Sequence, residues 1–115
     1  MELRRFCLFC DLKDDEKLIA EYKEYHKNVW PEILESIKKA GIIHMEIYNK
    51  GNRLFMIVEV SNSFSFEAKA ALDENNPIVQ KWENLMWKYQ QKVPIAKEGE
   101  KWLLLNEIFR YTSIS

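Results

Sequence analysis

Apolar residues crowd both alternating faces of the segment 3–12, with Phe6, Leu8 and Cys10 on one face and Cys7 and Phe9 on the other. A run of this kind reads as a strand that needs cover on both sides. From residue 14 the apolar period lengthens. Leu18, Ile19, Tyr22, Tyr25, His26, Val29, Ile33, Leu34 and Ile37 recur at spacings of three and four, making one amphipathic helical stripe. Asp14 and Asp15 open it, Glu16 suits the positive end of the helix dipole, and Gly41 is placed to terminate it. Pro31 lies inside this stretch. It lacks an amide donor and clashes with the turn before it, so a kink or break is predicted around residues 28–30.

Residues 42–48 read as a second strand, Asn49-Lys50-Gly51-Asn52 as a tight turn, and 54–60 as a third strand completing a hairpin. In the second strand His44, Glu46 and Tyr48 share one face, and Ile43, Met45 and Ile47 share the other. A short helix is predicted over about residues 64–72. Asn76 caps a further helix with Pro77 at its first position, and its buried stripe is Ile78, Val79, Trp82, Leu85, Met86 and Tyr89. Pro94 ends that helix, and residues 102–111 read as a fourth strand. The order β-α-β-β-α-β predicts an α+β ferredoxin-like fold, with a four-stranded antiparallel sheet and helices on one face. Helices of so short a chain cover one face of the sheet. The two-faced first strand therefore predicts a homodimer that buries sheet against sheet.

Composition narrows the possibilities. The 115 residues suit a single domain, 1–115. Lys and Arg number 17 against 18 Asp and Glu, a net charge of −1, which argues against nucleic acid or an anionic membrane as partner. No apolar run approaches the roughly 20 residues that span a bilayer. Cys7 and Cys10 form C-x-x-C spacing, but in a strand they point to opposite faces and no second ligand pair follows. They read as free thiols in a reducing, cytoplasmic setting. The distinctive quantity is the aromatic one: four Trp, five Tyr and six Phe. Phe6, Phe55 and Phe109 lie in predicted strands as packing.

Tyr22 and His26 stand four apart on one helix face. A histidine titrates near neutrality and a phenol can donate a proton, so the pair fits acid–base chemistry at an oxygen, beside the plainer reading of boundary residues on a packed helix. Trp30, just before Pro31, is either a plug beside the bend or a ligand wall. Trp82 lies on the buried stripe of the last helix, while Trp87 lies off it near Glu83, as an oligomer contact or a site wall. His44 and Glu46 have the chemistry of metal ligands, but no third ligand can be nominated and no metal is implied. Phosphate loops and nucleophile elbows are absent from the sequence.

The segment Glu21-Tyr-Lys-Glu-Tyr-His26-Lys-Asn-Val-Trp-Pro-Glu32 carries the pattern Tyr-x-x-x-His-x-x-x-Trp-Pro-Glu. It resembles the L-rhamnose mutarotase family. Gly41, Ile47-Tyr48, Leu54-Phe55, Val58-Glu59, Val79-Gln-Lys-Trp82 and Glu107-Ile-Phe109 extend the resemblance over about residues 4–111. It implies a dimeric α+β barrel and a cofactor-free enzyme that interconverts the α and β anomers of a 6-deoxyhexose: L-rhamnose first, L-fucose also open. His26 matches the family's proton donor, Tyr22 a neighbouring substrate-contacting tyrosine, and Trp82 the first of two sugar-contacting tryptophans. Two positions depart: the second tryptophan is Glu83 here, and a substrate-contacting tyrosine is Met45. Trp87, one helical turn beyond Glu83, is the candidate replacement for the missing ring. The competing readings are a small dimeric-barrel monooxygenase and a non-catalytic ligand-binding or assembly domain of the same fold.

Overall fold

The computed structural model describes residues 3–114. The elements run β1 (Arg4–Leu12), α1 (Glu16–Tyr25), α2 (Pro31–Lys39), β2 (Ile42–Lys50), β3 (Arg53–Val60), α3 (Phe66–Glu74), α4 (Pro77–Trp87), β4 (Gln90–Gln91) and β5 (Leu103–Leu104). The sheet order is β2-β3-β1-β4, with β5 also paired to β1, and every pairing is antiparallel.

Local chemistry explains the helices. Asp15 caps α1 by accepting from the amides of Lys17 and Leu18. Where Pro31 forbids a continuous helix, α1 ends at Tyr25 and α2 restarts with Pro31 in its first turn. His26 is therefore the cap residue at the C-terminal end of α1, not an interior one. Gly41, at φ 96, makes the turn from α2 into β2, and its carbonyl accepts from the Ser61 amide at 2.9 Å. The helix predicted at 64–72 forms at Phe66–Glu74, capped by Ser65, because Phe64 is instead buried in the core.

β1 lies at the centre. Its Leu8, Cys10 and Leu12 join Leu54, Val58 and Val60 of β3 beneath the helices, against Tyr22, Ile33, Val79, Trp82 and Met86. Burial of these side chains is the main stabilising contribution, about 1.5–3 kcal/mol for each large apolar residue. The opposite face carries Cys7, Phe9, Phe55 and Ile57, all half-buried within one chain. Arg53 forms a bidentate pair with buried Asp11, at 2.8 and 3.1 Å, and lies over the Phe9 ring.

Three sequence expectations are corrected. The fourth strand forms only at Leu103–Leu104, beside the separate two-residue strand Gln90–Gln91. Residues 106–114 form no strand, and Phe109, expected as packing, is 80% exposed. An edge strand with nothing against its open face gains too little burial to fix ten residues. The face of β2 is interrupted by a bulge between Ile42 and His44, so Ile43 is exposed while Met45 and Ile47 face the helices. Finally, Ile78 in the first turn of α4 is exposed, and Tyr89 lies beyond the helix end.

Candidate active site

A cavity of about 740 Å³ opens between the helix-covered face of the sheet and helices α1 to α4. Most of its wall is apolar, including Leu8, Ile37, Met45, Ile47, Met56 and Met86. Its polar groups include Tyr22, His26, Glu83, Gln90 and Lys101, and the Lys69–Asp73 ion pair of α3 also lines it. A large apolar hollow with a few convergent polar groups is what a small-molecule site requires.

Tyr22 reaches the wall because it sits on the sheet-facing stripe of α1, where it is 3% exposed. His26 follows one turn later, its ring stacked at a tilt on Tyr22 with centroids 4.3 Å apart. His26 Nδ1 lies 2.9 Å from the Tyr22 carbonyl oxygen. That oxygen can only accept, so Nδ1 carries the ring proton of neutral His26 and Nε2 is left as the basic atom. Burial lowers the pKa of His26 below the usual 6.5, and the bond to the Tyr22 carbonyl opposes this in part. Burial pushes the Tyr22 phenol well above 10, and the Gln90 carboxamide, which donates to its oxygen at 3.4 Å, works against that rise. Near neutral pH the pair is thus a neutral imidazole beside a phenol that keeps its proton.

Trp82 is held on the inner face of α4, whose first turn is fixed by the Asn76 side chain accepting from the amides of Ile78 and Val79. Its ring makes edge contacts with His26, Tyr25 and Trp30, at centroid distances of 5.7, 6.4 and 5.0 Å. The fold therefore brings Tyr22, His26, Met45, Trp82 and Glu83 to one cavity wall. Trp30 stands behind Trp82 as a buttress at the helix break. Trp87 is not on the wall. It lies outside, with the Lys101 ammonium 4.7 Å from its ring centroid. Lys101 turns inward to Glu83, Nζ to Oε2 2.7 Å, and its own side chain is nearly buried. A carboxylate and an ammonium thus stand where a second ring was sought.

Sequence reasoning missed Gln90 and Lys101. Gln90 falls off the helical stripe and beyond the helix, and Lys101 reads as loop. Only the pairing of β4 and β5 to β1 brings them in. His44 and Glu46 do pair, at 2.8 Å, with Tyr48 donating to the same carboxylate. They do so on the opposite face of the sheet from the cavity, and the described residues contain no cluster of three or more metal-ligating side chains. Cys7 and Cys10 are free thiols; burial pushes the Cys10 thiol up to about 12, which makes it unreactive at neutral pH.

A family model described as L-rhamnose mutarotase matches residues 5–111. The chain belongs to the L-rhamnose mutarotase family. It is 42% identical to an L-fucose mutarotase of Xanthomonas campestris, over 95% of this chain and 89% of the relative. It is 35% identical to an L-rhamnose mutarotase of Listeria monocytogenes, over 69% of this chain and 68% of the relative. Among solved structures, an L-rhamnose mutarotase from Formosa agariphila superposes with a TM-score of 0.70 at 27% identity, covering 95% of this chain and 99% of that one. The family fold is thus the α+β arrangement described above.

Proposed function

We propose that this protein is a sugar mutarotase acting on a free 6-deoxyhexose, with L-fucose its preferred substrate and L-rhamnose the second. The observation that carries the reading is the Tyr22–His26 pair at the wall of an apolar cavity, in a chain of this family. L-Fucose stands first because the relative named for it is matched at 42% identity over nearly the whole chain. The two departures from the rhamnose pattern, Met45 and Glu83, are both on the cavity wall.

Anomerisation needs a proton taken from the anomeric hydroxyl and one delivered to the ring oxygen. The ring then opens to the aldehyde, the C1–C2 bond rotates, and the ring closes on the other carbonyl face. In this reading His26 Nε2 takes the anomeric proton on opening and returns it on closure, so it is the proton donor of the second half. The Tyr22 phenol, kept protonated by burial, supplies the proton at the ring oxygen on opening, and its phenolate takes that proton back as the C5 hydroxyl closes on the aldehyde. Only protons move, so the chemistry asks for no cofactor. Trp82 faces the C–H surface of the sugar, and the methionines and isoleucines of the wall suit its C6 methyl group.

The enzyme acts as a homodimer, a reading supported by the half-buried Phe9, Phe55 and Ile57 on the uncovered face of the sheet. Unpaired thiols at Cys7 and Cys10 fit a reducing, cytoplasmic compartment. The test is two-dimensional exchange NMR of L-fucose, L-rhamnose, L-galactose and D-glucose at equilibrium. Anomer cross-peaks should grow with added protein for L-fucose first and L-rhamnose second. Cross-peaks no stronger than those without protein, for all four sugars, would sink the proposal.

A further inference from the structure

Gln90 is 2% exposed and lines the cavity. Its backbone is fixed by antiparallel pairing opposite Leu12 of β1, and its side chain lies on the helix-covered face with Leu12. One end of its carboxamide is used: Nε2 donates to the Tyr22 hydroxyl at 3.4 Å. The other end, Oε1, is buried and has no hydrogen-bond partner among the described residues. Turning the carboxamide over would only exchange which polar atom is left over. Buried side-chain oxygens are nearly always satisfied, so an orphan at a cavity wall points to a partner that arrives with the ligand. Neither neighbouring charge serves it: the Glu83 carboxylate can only accept, and the Lys101 ammonium is turned to Glu83.

We propose that Gln90 is a substrate-contacting, specificity-determining residue: its carboxamide holds the Tyr22 phenol and takes one ring hydroxyl of the sugar on its free oxygen. The inference rests on the mutarotase reading and deepens it. The donor that Oε1 lacks must be an O–H or N–H, and ring hydroxyls are the donors an aldose offers beyond the anomeric group. A site built around such a hydroxyl rejects the analogue that lacks it, because the acceptor is again left buried and unpaired. The strand position supports the role. A side chain anchored on paired backbone presents its oxygen at a fixed place, as discrimination between hydroxyl configurations demands.

The experiment compares L-fucose with its 2-, 3- and 4-deoxy analogues by exchange NMR, using wild type and Gln90→Met, which keeps the volume and removes both polar atoms. In wild type one of the three analogues should lose about 10- to 100-fold in kcat/KM relative to L-fucose. In Gln90→Met, L-fucose should fall by a similar factor, and that one analogue should become as good a substrate as L-fucose. Gln90→Leu gives the same comparison should Gln90→Met not fold. A merely structural Gln90 would lower all four sugars together and leave their ratios unchanged. Unchanged ratios in the variant, or a wild type indifferent to every deoxy analogue, overturn the proposal. Absence of any accelerated exchange by the wild type overturns the mutarotase reading itself, and this inference with it.

Discussion

His26 has its ring proton placed by the carbonyl of Tyr22 and its charge disfavoured by burial. Two consequences follow at this scale. The activity of a neutral base is lost as it becomes protonated, so kcat/KM for anomer exchange should rise with pH and level off. Its midpoint should lie below 6.5, the ordinary histidine value, because burial lowers the pKa of His26. A midpoint above 6.5, read from exchange rates between pH 4.5 and 8, would contradict this. For stability the sign is the same. The unfolded chain holds this proton more tightly, so the His26 contribution is complete above 6.5 and declines as pH falls from there to the lowered value. Tyr22→Phe removes the phenol proton while keeping the ring. It should reduce kcat by about a hundred-fold or more, with a smaller change in KM. Tyr22 and His26 were legible in the sequence because helical periodicity alone puts them on one face. Gln90 was not, since a single glutamine past a helix end carries no period. What marks it is a pairing with β1 some 80 positions earlier in the chain.

Elements place these side chains, and their boundaries follow from particular residues. Pro31 divides one amphipathic stripe into α1 and α2, and the break leaves room for Trp30 to brace Trp82. Proline, caps and the glycine at φ 96 are local signals, so the helix break, the Asn76 cap and the turn at Gly41 were all foreseeable. The bulge in β2 and the brevity of β4 and β5 were not, because they depend on which neighbour each strand finds. Asn76→Ala should cost about 1 kcal/mol in urea unfolding, the usual value of an N-cap bond. Glu83→Gln leaves the nearly buried Lys101 ammonium without its carboxylate. It should destabilise the protein by about 1–2 kcal/mol in urea unfolding at pH 7. A variant as stable as wild type at pH 7 would show that the pair contributes nothing.

At the scale of the whole molecule the fold class was readable from the order of elements alone, and the family from one helix motif that the comparisons bear out over residues 5–111. The C-terminal course was not readable. Apolar residues do crowd 102–111, yet one chain offers those residues no second surface, and Ile108 and Phe109 stand 95% and 80% exposed. The proposed dimer supplies such a surface. Phe9→Asp on the uncovered sheet face should therefore shift sedimentation velocity profiles from dimer to monomer at micromolar concentration, while a wild type that sediments as a monomer would refute the dimer.

In the proposed mechanism His26 moves the proton that interconverts anomers in the cavity beside Tyr22 and Trp82. The most direct measurement is the rate of L-fucose anomer exchange by NMR with equal amounts of wild type and His26→Ala, both shown to be folded by circular dichroism. Wild type should clearly accelerate the exchange, and the rate with His26→Ala should be at least about a hundred-fold lower, close to that of the sugar alone. Exchange by His26→Ala at the wild-type rate would contradict that mechanism.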